Sequence, residues 1–478
     1  MQSIWSQDTQ IPPRPALEGD IKADVAVIGA GLAGCLTAYF LQREGVHTVV
    51  LEAGRIGSGQ TKNTTAKITC QHGLIYDRLI DQLGPGLAKL YAQANRRAIG
   101  QYKELIEGEN IDCDFEEKPA YLYTTLSPGA LQKEWSAATQ LGIPARLTAA
   151  TDLPFPAAEA LRFEGQGQFH PLKFLRAIAK DLTVYENTPV LRAEGKDLIT
   201  DRGTVTAGKV IFACHYPFVN VPGLYFARMH QERSYVIALE NAQTLDGMYY
   251  GVDPGGLSFR TAGGQLLLGG GAHRTGENAA GGRYARLRRA ARTWWPDSRE
   301  TACWSAQDCI PLDGVPFIGP FAASRPDWYV ATGFQKWGMT TSMVAAHILR
   351  DAVLGRENEY APVFTPQRFR LRASFGTLAE DISTTARSLA RSVFATPRDS
   401  ADDMPAGHGG IVEKDGQKVG LYRDGERDYA VNTKCPHLGC ELSWNPDEKS
   451  WDCPCHGSRF DHTGALISGP AQKGIGLE

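Results

Sequence analysis

Between Cys435 and His456 the chain holds four of its ten cysteines and two of its histidines. Cys435-Pro436-His437 is followed, fifteen residues on, by Cys453-Pro454-Cys455-His456, so each loop offers a thiolate and an imidazole. Two Cys and two His can bind zinc. Zinc fingers, however, usually pair Cys with Cys and His with His on separate elements. One of each per loop suits a [2Fe–2S] cluster, with Cys435 and Cys453 on one iron and His437 and His456 on the other. Zinc stays the alternative occupant.

A second constellation lies near the N-terminus. Asp24-Val25-Ala26-Val27-Ile28 is a short apolar run with β-branched residues, the pattern of a buried parallel strand. It runs into Gly29-Ala30-Gly31-Leu32-Ala33-Gly34, then a helical pattern to Glu44, then a second strand from His47 ending in the acid Glu52. In such a unit Gly29 permits the tight turn and Gly31 lets backbone amides approach a pyrophosphate. Gly34 lets the helix pack on the strand, and Glu52 has the spacing to bind ribose hydroxyls. A plain glycine-rich turn is the alternative. The register of strand, glycines, helix, strand and acid argues for a nucleotide.

The elements that must position these groups need more than one core. The chain has 478 residues, too many for one ordinary domain. With 42% hydrophobic and 22% charged residues, the composition is that of a globular enzyme. A net charge of −3 argues against nucleic acid as the main partner. No apolar run reaches membrane-spanning length, and Met1 to Pro13 lacks the features of a secretory signal, so a cytoplasmic protein without a transmembrane segment is expected. Pro85 to Ile106 has a helical pattern. Ser258–Thr261 and Gln265–Gly270 read as a hairpin through Ala262-Gly263-Gly264. Ile382, Ala386, Leu389 and Val393 share a helical face, which is read as a docking helix ahead of a linker.

After Glu52 the stretch Ala53-Gly54-Arg55-Ile56-Gly57-Ser58-Gly59-Gln60-Thr61 resembles the FAD-dependent D-amino acid oxidase, glycine oxidase and sarcosine oxidase family. So does Trp328–Gly333, leading through Phe334-Gln335-Lys336-Trp337-Gly338-Met339-Thr340 into a helix. The resemblance spans roughly residues 20 to 365. It implies FAD held by Gly29, Gly31, Gly34, Glu52, Gly59, Thr61, Gly333, Gly338, Met339 and Thr340. It also implies a Rossmann-like α/β FAD-binding fold of the glutathione-reductase type with an inserted β-rich α+β substrate domain. The expected FAD-binding parts are about 20–84, 150–225 and 305–372 within an oxidoreductase unit 1–372. The substrate domain takes about 85–149 and 226–304. Arg260 is the candidate clamp for a substrate carboxylate, with a surface salt bridge as the alternative. Lys336 is expected to face the flavin, and Lys67 stands where family members carry a substrate-binding arginine.

The two Cys/His loops, with Leu438-Gly439 and Gly457-Ser458, resemble Rieske proteins, so 405–478 is expected to be an all-β Rieske domain behind a helix and linker at 373–404. The resemblance to the cytochrome bc type implies a disulfide between Cys440 and Cys455; two free thiols are the alternative. In that type a Ser and a Tyr hydroxyl donate to the cluster. Ser458 matches the first, but Phe460 stands in place of the Tyr. Losing a donor predicts a lower potential.

Together the resemblances imply an enzyme oxidising a C–N bond of an amine or amino acid. Electrons pass from FAD to the cluster and on to an external one-electron acceptor such as a ferredoxin, cytochrome or quinone. Two alternatives are an electron carrier or redox sensor without a small substrate, and an oxygen-dependent N-demethylase fed by the cluster.

Overall fold

A computed structural model describes residues 2–368, 388, 400–425 and 427–477. The helical face expected on Ile382, Ala386, Leu389 and Val393 lies outside the described residues.

The first sheet has eight strands. Its core runs Thr48–Leu51, Ile21–Ile28, Thr204–Phe212, Arg325–Thr332, all parallel neighbours. Ala26 and Val27 are fully buried because both faces of this sheet are covered, which is why the strand reads as a continuous apolar run. The helices Leu32–Arg43 and Gly338–Val353 pack against one another, and their first turns sit at the ends of strands Ile21–Ile28 and Arg325–Thr332. That is the switch-point arrangement at which open α/β sheets bind ligands.

The second sheet has nine strands, antiparallel except for one parallel pair, Glu116–Thr124 with Met248–Gly251. The hairpin Ser258–Ala262/Gln265–Arg274 turns on Gly263 and Gly264, both at positive φ, as a two-residue turn matched to strand twist demands. The helix expected from Pro85 begins earlier, at Tyr76, and runs to Gly108 with a break at Gly84. Residues 150–225 were expected with the nucleotide-binding part, but Glu159–Gln168 pairs with Glu116–Thr124 in the second sheet. The chain crosses back only at the helix Pro171–Ile178, which packs on Leu32–Arg43. Strand pattern reports burial, not which sheet supplies the neighbour.

The C-terminal region is all β among the described residues after Asp403. A three-stranded sheet (Gly409–Lys414, Gln417–Asp424, Arg427–Val431) and a four-stranded one (Ser443–Asn445, Ser450–Asp452, Arg459–Asp461, Leu466–Ser468) enclose Tyr422, Trp444, Trp451 and Phe460. Trp444 and Trp451 meet at 5.0 Å between ring centres. Burying side chains of this size contributes about 1.5–3 kcal/mol each.

Candidate active site and metal centre

Gly29, at φ +107, leaves no room for a side chain: a Cβ would lie 2.7 Å from the Ala213 carbonyl oxygen. Gly34 is tighter still, its Cβ position 1.9 Å from the Gly29 oxygen, so only glycine lets this helix sit on this strand. Beyond Gly31 the helix N-terminus is open toward a cavity of about 690 Å³. At that end the Leu32 N–H donates to Thr61 Oγ1 at 3.1 Å. The Glu52 carboxylate accepts the N–H groups of Ala30 and Gly54, each at 2.8 Å. Burial nevertheless raises its pKa.

Gly29, Gly31, Glu52, Gly59, Thr61, Gly333, Gly338 and Met339 all line this one cavity, and Gly34 lies directly behind it. The cavity, the helix N-terminus facing it and the carboxylate at the expected ribose position fit FAD. Thr340 does not line the cavity. Its hydroxyl both donates to the Thr69 carbonyl and accepts the Thr69 N–H, each at 2.9 Å.

The cavity is also walled by Lys67, Tyr250, Ser258, Asp308, Lys336 and Trp337. Lys336 Nζ pairs with Glu232 at 3.0 Å. Against the pull of burial, that carboxylate holds Lys336 above the usual lysine pKa. Glu232 is drawn down to about 2, burial being outweighed by His230 and Lys336. Burial pushes Asp308 up to about 7, and burial beside Arg260 draws Lys67 down to about 7.

Arg260 is not the expected clamp. It does not line the cavity, and its Nη1 donates to the carbonyl oxygens of Thr65 and Ala66, each at 2.7 Å. It braces the turn that carries Lys67. Asp308 and Glu232 were missed from sequence. Both lie on long strands, where nothing local marks Asp308 as facing the cavity or Glu232 as pairing with Lys336.

The two Cys/His loops share one backbone plan. The Cys435 N–H bonds the Cys440 carbonyl, and the Gly439 N–H returns to Cys435. Likewise Cys453 N–H bonds Ser458, and Gly457 N–H returns to Cys453. Gly439 and Gly457 take the left-handed conformation, φ +80 and +81. Each loop therefore turns its amides toward its cysteine. The Cys453 thiol, then the His437 amide, the Ser458 hydroxyl and the Leu438 amide, lower Cys435 to about 7 against burial. The imidazoles of His437 and His456 lie 4.9 Å apart. Burial draws His437 down to about 4, keeping it neutral, the form that ligates metal. Its Nδ1 is buried without a hydrogen-bond partner among the described residues.

Cys440 and Cys455 form the disulfide, with Cα atoms 6.6 Å apart. The sulfurs of Cys440, Cys453 and Cys455 gather within 4.8 Å. Since two of them are bonded to each other, Cys453 is the one left to ligate. Cys435, His437, Cys453 and His456 are thus brought together as a two-thiolate, two-imidazole set with amide donors to sulfur, which fits a [2Fe–2S] cluster.

The two sites share a wall. On the paired strands Met229–Glu240 and Arg299–Pro311, Ser234, Val236, Ala306 and Asp308 face the cavity. Between them Gln231, Arg233, Ser305 and Gln307 alternate to the other face and bond to the C-terminal domain. Gln231 Nε2 donates to the His456 carbonyl at 2.6 Å and Gln307 Nε2 to that of Gly457 at 2.7 Å. Arg233 pairs with Glu448. Leu466 to Gln472 of the same domain line the cavity beside Val190.

Comparison with known proteins agrees with this division. The family model "FAD dependent oxidoreductase" matches residues 24–352. The chain belongs to that family. The Rieske [2Fe-2S] domain model matches residues 396–476. This FAD dependent oxidoreductase is 38% identical to YhfW of Bacillus subtilis (strain 168), described as a Rieske 2Fe-2S iron-sulfur protein, over 99% of this chain and 96% of the relative. It is 50% identical over 50 residues to the cytochrome b6-f complex iron-sulfur subunit 1 of Nostoc sp., covering 10% of this chain and 28% of that subunit. Its fold is similar to glycine oxidase from Geobacillus kaustophilus, with a TM-score of 0.62 at 20% identity over 73% of this chain and 99% of that one. The protein is therefore an oxidoreductase binding FAD in its larger part and a [2Fe–2S] cluster in its C-terminal domain. Among the described residues no helix is long and apolar enough to cross a membrane.

Proposed function

We propose that this oxidoreductase removes two electrons from a C–N bond of an amine or amino acid and delivers them singly, through the iron–sulfur centre, to an external one-electron acceptor. The observation that carries this reading is the two-strand wall, one face lining the flavin cavity and the other bonded to the second cluster loop. When bound, FAD supplies hydride acceptance and the cluster supplies one-electron transfer.

The chain's own groups support the chemistry on either side. Hydride leaves a carbon next to nitrogen when the amine is neutral, so an arriving ammonium must first lose a proton. Lys67 and Asp308, both moved by burial to about 7, are suited to take it at neutral pH. Lys336 keeps its charge through Glu232 and places a fixed cation at the start of the helix Gly338–Val353. Arg260 positions Lys67 through the Thr65–Ala66 carbonyls. Glycine oxidase, the structural relative, acts on an amino acid, and that resemblance of fold favours C–N substrates.

Anaerobic screening of amines and amino acids for flavin bleaching tests the proposal. A substrate is expected to bleach the flavin and then bring up the reduced cluster's EPR signal. Failure of every amine and amino acid to bleach it would leave an electron carrier or redox sensor. Oxygen-dependent hydroxylation of the product would point to the N-demethylase instead.

A further inference from the structure

His456 is buried and His437 half-buried. Phe226, from the segment between strands Thr204–Phe212 and Met229–Glu240, packs edge-on against both imidazoles, with ring centres 6.4 and 5.8 Å away. From the same segment, Asn220 Oδ1 lies 2.9 Å from His437 Nε2. The Leu224 N–H bonds back to the Asn220 carbonyl at 2.9 Å, which fixes that residue's backbone.

We propose that Asn220 is a positioning residue of the iron–sulfur centre, setting its reduction potential from the flavin domain by accepting a hydrogen bond from His437 Nε2–H. Two separate observations support it. The amide oxygen can only accept, so the Nε2 it faces carries the proton. The other ring nitrogen, Nδ1, is then the lone pair that is buried without a partner among the described residues, ready for iron. An acceptor on the far nitrogen makes an imidazole a stronger donor to its metal. A stronger donor favours the oxidised cluster and lowers its potential. The residue that does this is 217 positions away from the ligand, on the domain that delivers the electrons.

The inference rests on the cluster and not on the substrate proposed above. A mediated redox titration of the full chain therefore separates the two: it needs no substrate, and failure of the substrate screen leaves its outcome intact. Asn220→Leu removes the acceptor at similar size, and Asn220→Asp strengthens it. The cluster midpoint, read by EPR, is expected to rise in Asn220→Leu by about tenfold in the reduction equilibrium, ~59 mV for one electron. It should fall in Asn220→Asp, with the flavin midpoint unmoved in both. Midpoints equal to wild type in both variants, shifts of the same sign, or a matching shift of the flavin would overturn the proposal. Should Asn220→Leu lose its iron, Asn220→Asp decides alone, and the absence of a downward shift overturns it.

Discussion

Glu448 is where the junction between the two sites is most exposed to a single substitution. Its carboxylate pairs with Arg233 of the flavin domain and, at 2.7 Å, with Arg459 of its own domain. It also accepts the Ser305 hydroxyl. The side chains are 2% exposed at Arg233 and 9% at Glu448, so the pair is out of water. In Glu448→Ala, Arg459 keeps Asp452 at 2.9 Å. Arg233 keeps hydrogen bonds to the neutral Gln307 and Ser305 and only a longer-range attraction to Asp452 and Asp308. Breaking a buried pair by removing one partner costs about 3–5 kcal/mol when the charge is left without compensation, and the more distant Asp452 and Asp308 place Arg233 toward the lower end. The cost falls on the docked arrangement alone, since Arg233 is hydrated once the domains part. The lower end, about 3 kcal/mol, is roughly 10²-fold in the docking equilibrium. Calorimetry of Glu448→Ala is expected to show a separate, earlier transition for the C-terminal domain. Hydrogen exchange should accelerate at 229–235 and 453–459. A single transition at the wild-type temperature with unchanged exchange would refute the reasoning, because the ion pair would then not hold the junction.

Other substitutions probe the two sites separately. Gly34→Ala forces a Cβ to within 1.9 Å of the Gly29 oxygen. Overpacking of this kind costs about 1–3 kcal/mol or more, and purified Gly34→Ala should carry little FAD by absorbance while retaining iron. Asp308 is raised from 3.8 to about 7 in the folded chain. Its contribution to stability is therefore complete below about pH 4 and lost as pH rises through about 7. Asp308→Asn should flatten the decline in Tm across that window; a decline parallel to wild type would show that Asp308 titrates normally. Ser458 lies against Cys435, and Ser458→Ala should lower the cluster midpoint, whereas Phe460→Tyr, restoring a donor, should raise it. Non-reducing mass spectrometry should find Cys440 and Cys455 unavailable to alkylation, and two alkylated thiols there would remove the disulfide.

The cluster ligands were legible because their geometry is local. Each loop closes on itself within five residues, so the Cys/His spacing already states the donor set. The same holds for Gly34, whose close neighbours, Gly29 and Val27, stand just before it in sequence. Arg260 was misread because the identity of a residue on a strand does not say whether its guanidinium reaches a cavity or turns back to backbone carbonyls. The span 150–225 was assigned to the nucleotide-binding part for a similar reason, although its strand Glu159–Gln168 joins the second sheet. The shared wall was invisible as well. Gln231 and Gln307 find their partners, His456 and Gly457, 225 and 150 positions later. Only the folded chain shows that alternate residues of two strands serve two sites.

The most direct test of the account is the kinetics of electron transfer within the intact chain. After laser-flash reduction of the flavin under anaerobic conditions, the cluster's visible bands should bleach in a first-order process whose rate is independent of protein concentration. A rate that scales with concentration, or a cluster that stays oxidised while the flavin remains reduced, would contradict transfer across the wall.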